Sequence, residues 1–229
     1  MKIAMIPARG GSKRIPRKNI KLFHGKPMIA YSIEAAQKSG SFDKIIVSTD
    51  DQEIADVALE YGAEVPFLRP ANISDDYSTT MDVIQHAIQW CESQNITVDL
   101  LCCIYATAPF ILSGDLCAGL EAVSASGIDY AFSATSFAFP IQRAISLNEN
   151  GAVRMFQPEH LNTRSQDLEE AYHDAGQFYW GKVSAFKAGK AFFSPSAKAI
   201  LLPRKRVQDV DTYEDWELAE ALYAVMKGA

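Results

Sequence analysis

Two hydrophobic periods take turns along this chain and predict alternating strands and helices. The apolar run Ile3-Ala4-Met5-Ile6 predicts a strand over residues 2–6, a helix follows at about 28–38, and Ile45-Ile46-Val47 marks a second strand over 44–49. Ile54, Val57, Ala58 and Tyr61 fall at i, i+3, i+4 and i+7, which predicts a one-faced helix over 52–61 with Gly62 as its stop. A polar loop from Arg69 through Asp76 to Ser78 leads into a helix near 80–93, with Met81, Ile84, Ala87, Ile88 and Cys91 on one side. His86, within that helix, reads as structural. Leu100 to Tyr105 is apolar without interruption, as expected of a parallel strand covered on both faces. A helix near 114–125, strands near 129–135, 177–184 and 199–202, and a closing helix over 213–226 complete the series. Such alternation predicts a sandwich of helices around a mostly parallel sheet.

The alternation fails from 136 to about 176. Ile141 to Leu147 reads as a strand with an Asn148-Glu149-Asn150-Gly151 turn after it, whereas Gln157 to Glu170 is polar and without period. A segment of this kind inserted in a single domain spanning 1–229 is expected to be a lid or a dimerisation arm.

At 229 residues, with 48% hydrophobic and 22% charged, the composition is that of an ordinary globular chain. The N-terminus lacks a charged and apolar leader and no apolar run approaches the ~20 residues of a membrane span, so a cytoplasmic protein is expected. The four cysteines, Cys91, Cys102, Cys103 and Cys117, have no C-x-x-C spacing and read as buried thiols, with Cys102 and Cys103 pointing to opposite faces of their strand.

Charge changes the picture more. The net charge is −6, yet five of the ten residues from Arg9 to Lys18 are cationic. An acidic protein without a basic face is a poor nucleic-acid or membrane binder. One basic loop directly after the first strand instead suits a small polyanion, because ligands of open α/β sheets collect at the carboxyl ends of the strands. Gly10 and Gly11 let backbone N–H groups approach phosphate, and Arg9, Lys13, Arg14, Arg17 and Lys18 offer charge-assisted donors to a triphosphate. Neither G-x-x-x-x-G-K-[ST] nor G-x-G-x-x-G is present, which disfavours a P-loop ATPase and a dinucleotide enzyme.

Further along, Asp209 and Asp211 share a face if their segment is extended, a pair suited to Mg²⁺. The same stretch also reads as a helix cap, with Thr212 and Asp215 in capping-box spacing. Asp50 and Asp51 read as caps of the helix after them. Arg69-Pro70 suits a fixed contact to a base or sugar edge, and Tyr105-Ala106-Thr107-Ala108-Pro109 closes the central strand at its ligand end. His173 to Trp180 joins polar groups to an aromatic strand, either core or sugar pocket.

Taken in series, Pro7 to Asn19, Ile45 to Asp50, Arg69-Pro70-Ala71 and Asp209-Val210-Asp211-Thr212 resemble the CMP-sialic acid synthetase family of cytidylyltransferases, in the right order over nearly the whole chain. The resemblance implies a three-layer, Rossmann-like nucleotidyltransferase α/β fold, a homodimer, Mg²⁺, and reaction of CTP with a nine-carbon sugar acid to give the CMP-sugar and pyrophosphate. It puts Arg9, Gly10, Gly11, Ser12, Lys13, Lys18 and Asn19 on the nucleotide phosphates and Arg69 and Ser78 on the nucleoside. Asp209 and Asp211 fall on the metal, with Lys13 and Lys18 assisting catalysis. The sugar acid falls to Tyr105, Thr107, Gln142, Arg143, Arg164, His173, Asp174 and Gln177. Departures from the N-acetylneuraminate pattern all lie on that side: Tyr105 to Pro109 replaces Gln-Pro-Thr-Ser-Pro, Ala175-Gly176-Gln177 replaces Asn-Gly-Ala, and Gln142 or Arg143 stands for a lysine. These segments resemble the branch that uses pseudaminic acid, a sugar of flagellin glycosylation and surface polysaccharide. Neuraminate or legionaminate as the sugar, a glycosyltransferase, and a non-catalytic nucleotide binder are the alternatives.

Overall fold

A computed structural model describes residues 1–75 and 77–228; Asp76, within the polar loop, and Ala229 lie outside the described residues. The strands are β1 (Lys2–Pro7), β2 (Leu22–Phe23), β3 (Lys26–Pro27), β4 (Lys44–Ser48), β5 (Leu100–Ile104), β6 (Tyr130–Ser136), β7 (Ile145–Leu147), β8 (Val153–Met155), β9 (Tyr172–Lys182) and β10 (Ala197–Leu201). The helices are α1 (Met28–Ser39), α2 (Gln52–Glu60), α3 (Thr80–Ser93), α4 (Ser113–Ser124), α5 (Val183–Lys187) and α6 (Tyr213–Lys227).

Six strands form the central sheet in the order β10-β6-β9-β5-β1-β4. All pairings are parallel except those of β9, which runs antiparallel to both β5 and β6. The mostly parallel α/β architecture expected from the sequence is therefore present, with one reversed strand that the apolar pattern of β5 did not reveal.

Alternation along the strands builds the layers. Ala4 and Ile6 of β1 join α1, α2 and α4 in one buried cluster, whereas Ile3 and Met5 join α3 and α5 on the other face. Cys102 and Cys103 divide in the same way, one to each cluster. Cys117 corrects the reading of four buried thiols, since it is exposed. Close layer contact explains one glycine: a Cβ at Gly119 of α4 would lie 2.6 Å from the Trp180 ring of β9.

A third cluster sits at the ligand edge of the sheet. Phe23, Met28, Tyr31, Phe110, Val210, Trp216 and Ala219 surround Ile15, which is 1% exposed at the centre of the basic loop. This cluster docks α6 and fixes both the loop and the Asp209–Asp211 segment from behind.

The irregular segment is shorter than the sequence implied. β9 already begins at Tyr172, and within 137–171 the structure has the small hairpin β7–β8 joined through Asn148 to Gly151. The predicted strand over 141–147 is a 3-10 turn at Ile141–Arg143 followed by β7 alone. Among the described residues no helix is long and apolar enough to cross a membrane.

Candidate active site

The carboxyl ends of β1, β4 and β5 open into a cleft of about 300 Å³. Residues singled out from sequence line it, among them Arg9, Ser12, Lys13, Arg14, Lys18, Asn19, Arg69, Ser78, Tyr105, Thr107 and Asp211. They come from four separate stretches of chain, which is how the parallel sheet assembles a site from strand ends.

The basic loop forms the floor. Asn19 is 7% exposed and its amide donates to the Arg9 carbonyl at 2.9 Å, while its own carbonyl accepts from Ile29 at the start of α1. Lys18 reaches across the cleft, donating to the Val210 carbonyl at 2.6 Å and to Asp211 at 3.2 Å. Arg14 meets the other oxygen of Asp211 at 2.8 Å. The Gly10 N–H is taken by Asp50 at 2.9 Å, and a Cβ on Gly10 would lie 2.7 Å from the Asp51 carboxylate. Gly11 has open space where a Cβ would stand. Arg17 does not face the cleft: it pairs with Asp51 and Glu53, which corrects its reading as a phosphate donor.

Arg69 forms one wall. The chain at 63–69 runs beside β4, and the Arg69 N–H donates to the Thr49 carbonyl at 2.7 Å, which delivers the side chain to the strand's end. The residue is 5% exposed; its Nε donates to Ser74 at 3.1 Å and Asp50 lies 3.9 Å away. Burial pulls its pKa down and Asp50 opposes that shift, so a nearly dry cation faces the cleft. Burial, and then the charge of Arg69, also lowers His86, whose ring packs edge-on against Phe67 in keeping with a structural role.

At the acidic end both readings of the Asp209 to Asp215 stretch hold together. Thr212 caps α6 in a capping box with Asp215, which leaves the Asp211 carboxylate directed into the cleft. Asp209 is exposed and does not line the cleft, yet its pKa is raised, first by loss of hydration and then by the charge of Asp211. The described residues contain no cluster of three or more metal-ligating side chains.

The sugar-side candidates divide. The Tyr105 hydroxyl bonds to Thr80 at 2.9 Å inside the cleft, and its N–H bonds to the Gln177 carbonyl at 2.9 Å, which ties the ends of β5 and β9. Asp174 accepts from the Tyr179 hydroxyl and from the Gly176 N–H at 2.9 Å. Gln177 is 4% exposed; its Nε2 donates to the Arg206 carbonyl at 2.5 Å and its Oε1 has no partner. His173 packs on Phe137. Because β9 is antiparallel, His173, Asp174 and Gln177 sit in its first half, beside the ends of β5 and β6, but none of the three lines the cleft. Gln142, Arg143 and Arg164 do not line the cleft. They bond within the arm, to Glu169, Thr163 and Asp167 respectively. The aromatic residues Phe178, Tyr179 and Trp180 are core.

Sequence reasoning missed the ion pair of Arg206 with Asp115, at 2.5 and 3.0 Å, which props the segment carrying Asp209 and Asp211 against the N-terminus of α4. No local signal links residues so far apart. It also missed that Asp50 and Asp51 brace the loop: Asp51 does cap α2, but Asp50 accepts from the Gly10 N–H instead, which corrects its reading as a cap.

Comparison with known proteins gives a consistent picture. The sequence model described as Cytidylyltransferase matches residues 3–190. A pseudaminic acid cytidylyltransferase of Campylobacter jejuni is 51% identical over 97% of this chain and 96% of its own length. A CMP-N,N'-diacetyllegionaminic acid synthase of Legionella pneumophila is 32% identical over 96% of this chain and 95% of its own. A solved structure of CMP:2-keto-3-deoxy-manno-octonic acid synthetase complexed with CTP superposes with a TM-score of 0.70, covering 98% of this chain and 99% of that one at 18% identity, a likeness of fold.

Proposed function

The chain belongs to the cytidylyltransferase family, and from that premise we propose that it transfers CMP from CTP to the anomeric hydroxyl of pseudaminic acid, giving CMP-pseudaminate and pyrophosphate. The observation that carries this reading is the 51% identity to a pseudaminic acid cytidylyltransferase over almost the full length of both chains, against 32% to the legionaminic acid enzyme. The cleft supports it independently, since it sets a cationic floor beside a buried arginine and a carboxylate.

In this reading the sugar's 2-hydroxyl attacks the α-phosphorus of CTP in line. The bond from the α-phosphorus to the oxygen bridging to the β-phosphorus breaks, pyrophosphate leaves, and the hydroxyl proton passes to solvent. Catalysis of this type is mostly positioning and charge stabilisation. Arg9, Ser12, Lys13 and Lys18 hold the phosphates, with Gly10, Gly11 and Asn19 shaping the loop, and Lys13 and Lys18 take up charge as pyrophosphate departs. Arg69 and Ser78 hold the nucleoside. Tyr105, Thr107, His173, Asp174 and Gln177 orient the sugar acid.

Asp209 and Asp211 fit Mg²⁺: both are hard oxygen donors, Asp211 already draws two cations, and the raised pKa of Asp209 marks a place where added positive charge is favoured. When bound there, Mg²⁺ would supply Lewis-acid polarisation of the phosphoryl oxygens. We further assign the protein to the cytoplasm, where CTP is available, and to a homodimer. Exposed Phe139, Ile145, Leu147, Val153, Phe156 and Leu161 on the arm give that dimer an apolar surface, and Gln142, Arg143 and Arg164 belong to the same element. The product would supply a glycosyltransferase, with flagellin or surface polysaccharide as acceptor.

Pyrophosphate release from CTP and Mg²⁺, with pseudaminic, legionaminic and N-acetylneuraminic acids offered in parallel, tests the reading. Release at least 100-fold faster with pseudaminic acid is expected, because a site with buried hydrogen-bonding groups rejects a sugar that leaves them unpaired. Comparable rates with another acid would discard the sugar assignment, and CTP binding without turnover would discard the enzyme.

A further inference from the structure

Arg17 stands apart from the other cations of its loop. Its backbone is left-handed, with φ +56°, a conformation that side-chain-bearing residues hold only where their surroundings impose it. What imposes it is a carboxylate pair outside the cleft. The guanidinium meets Asp51 through two bonds of 2.5 and 2.9 Å and also pairs with Glu53 in the first turn of α2. Asp51 in turn caps α2, accepting from the Ile54 N–H at 3.0 Å.

The other end of the loop closes on the same place. Gly10 gives its N–H to Asp50, and its Cα lies so near Asp51 that no side chain fits between them. Residues 10 and 17 are thus pinned to one Asp50–Asp51 pair at the start of α2, a helix that buries Ile54, Ala55 and Ala58. Between the pins, Ile15 is sunk in the cluster under α6, and Ser12, Lys13 and Arg14 turn to the cleft.

We propose that Arg17 is a positioning residue for the transfer reaction: it makes no contact with the nucleotide, and through Asp51 it fixes the curvature of residues 9–18 so that Ser12, Lys13 and Lys18 face the triphosphate. The proposal rests on the reading that CTP occupies this cleft. It separates two functions that the sequence merges in one run of positive charge, four cations for the ligand side and one for the scaffold.

The test is calorimetric titration of CTP with Mg²⁺ into the wild-type protein and into Arg17→Ala, Arg17→Lys, Asp51→Asn and the Ala/Asn double variant, with melting temperature and steady-state kinetics alongside. Asn keeps a capping oxygen for α2, so Asp51→Asn removes the ion pair without removing the cap. CTP affinity should fall roughly tenfold in Arg17→Ala and in Asp51→Asn, and no further in the double variant, because both remove one interaction. Arg17→Lys should recover part of the loss, since it keeps the charge without the two-pronged geometry. KM for the sugar acid should not move, and melting temperatures should stay within a few degrees of wild type. Unchanged CTP affinity in the single variants, losses that add in the double variant, or a drop in melting temperature alone would overturn the proposal. Wild-type protein that binds CTP but releases no pyrophosphate with any sugar acid would overturn the catalytic reading only, and the affinity series would still decide the role of Arg17.

Discussion

The two sides of the cleft are built on opposite plans. On the phosphate side the frame is anchored from within: Ile15 lies in the aromatic cluster, Asn19 bonds to the Arg9 carbonyl, Arg69 is itself buried, and the Arg206–Asp115 pair supports the Asp211 segment. On the sugar side, Tyr105, Asp174 and Gln177 have such support and the residues of the arm do not. The arm places Phe139 at 82% exposure and Leu147 at 65%, and its polar candidates bond to one another. A triphosphate is the same in every reaction of this kind, so its site can be rigid and self-contained. The arm, proposed to complete the sugar site in a dimer, has an apolar surface that stays exposed among the described residues.

The sharpest way to break this contrast is to strike the acidic end of the phosphate side. Asp211→Asn should lower turnover by about 10²–10³-fold while CTP affinity changes little, the pattern of an interaction made mainly in the transition state. Unchanged kcat at saturating Mg²⁺ would remove Asp211 from the reaction. Next in size is the anchor beneath the loop. Ile15→Ala should cost about 3 kcal/mol of unfolding free energy in urea, because it opens a cavity in a packed aromatic cluster. Leu147→Ala on the arm should stay within about 0.5 kcal/mol for the monomer. Equal losses would erase the difference between the two sides.

Assembly offers a sharper probe of the arm than stability does. Phe139→Asp should shift sedimentation from dimer to monomer and weaken sugar-acid turnover while leaving CTP affinity within about twofold. A variant that sediments like the wild type would place the interface elsewhere. The smallest effect concerns pH. Arg17, ahead of the cap bonds, holds the Asp51 carboxyl below its usual 3.8, so the pair's stabilisation is complete above the unfolded value and vanishes as pH falls through the folded one. As pH falls below about 4, wild type should lose up to about 1 kcal/mol relative to Asp51→Asn, read from urea midpoints. Parallel curves would mean that the pair adds nothing to stability.

Much of this contrast was legible in the sequence, and for a physical reason. Strand ends in a parallel sheet converge on one edge, so the basic loop after β1 and Tyr105 after β5 could be grouped without coordinates, whereas Arg69 and Asp211 joined them only through the family resemblance. The helix predicted over 52–61 followed from spacing and ends one residue earlier, at Glu60, and one of the two carboxylates read as its caps, Asp51, does cap it. Direction was not legible: β9 and the parallel strands share the same buried, apolar character, and nothing in Phe178-Tyr179-Trp180 says which way it runs. Nor was the division of labour within the basic loop, because a run of cations looks the same whether its side chains face a ligand or a carboxylate of the protein. Arg17 declared its direction only through a left-handed backbone and two acidic neighbours far along the chain.

The reversed strand has a consequence for how the molecule comes into being. β9 lies between β5 and β6, which do not touch each other in the sheet, and it is synthesised after both. Until residue 182 has left the ribosome, β1, β4 and β5 can assemble among themselves, but β5 and β6 each present an open edge with nothing to pair. The sheet closes by insertion of its last-made inner strand, joining contacts some 40 to 80 residues apart, so folding must wait for the C-terminal third. A chain cut short in the arm would keep its whole basic loop and leave β5 with one uncovered edge and β6 with two.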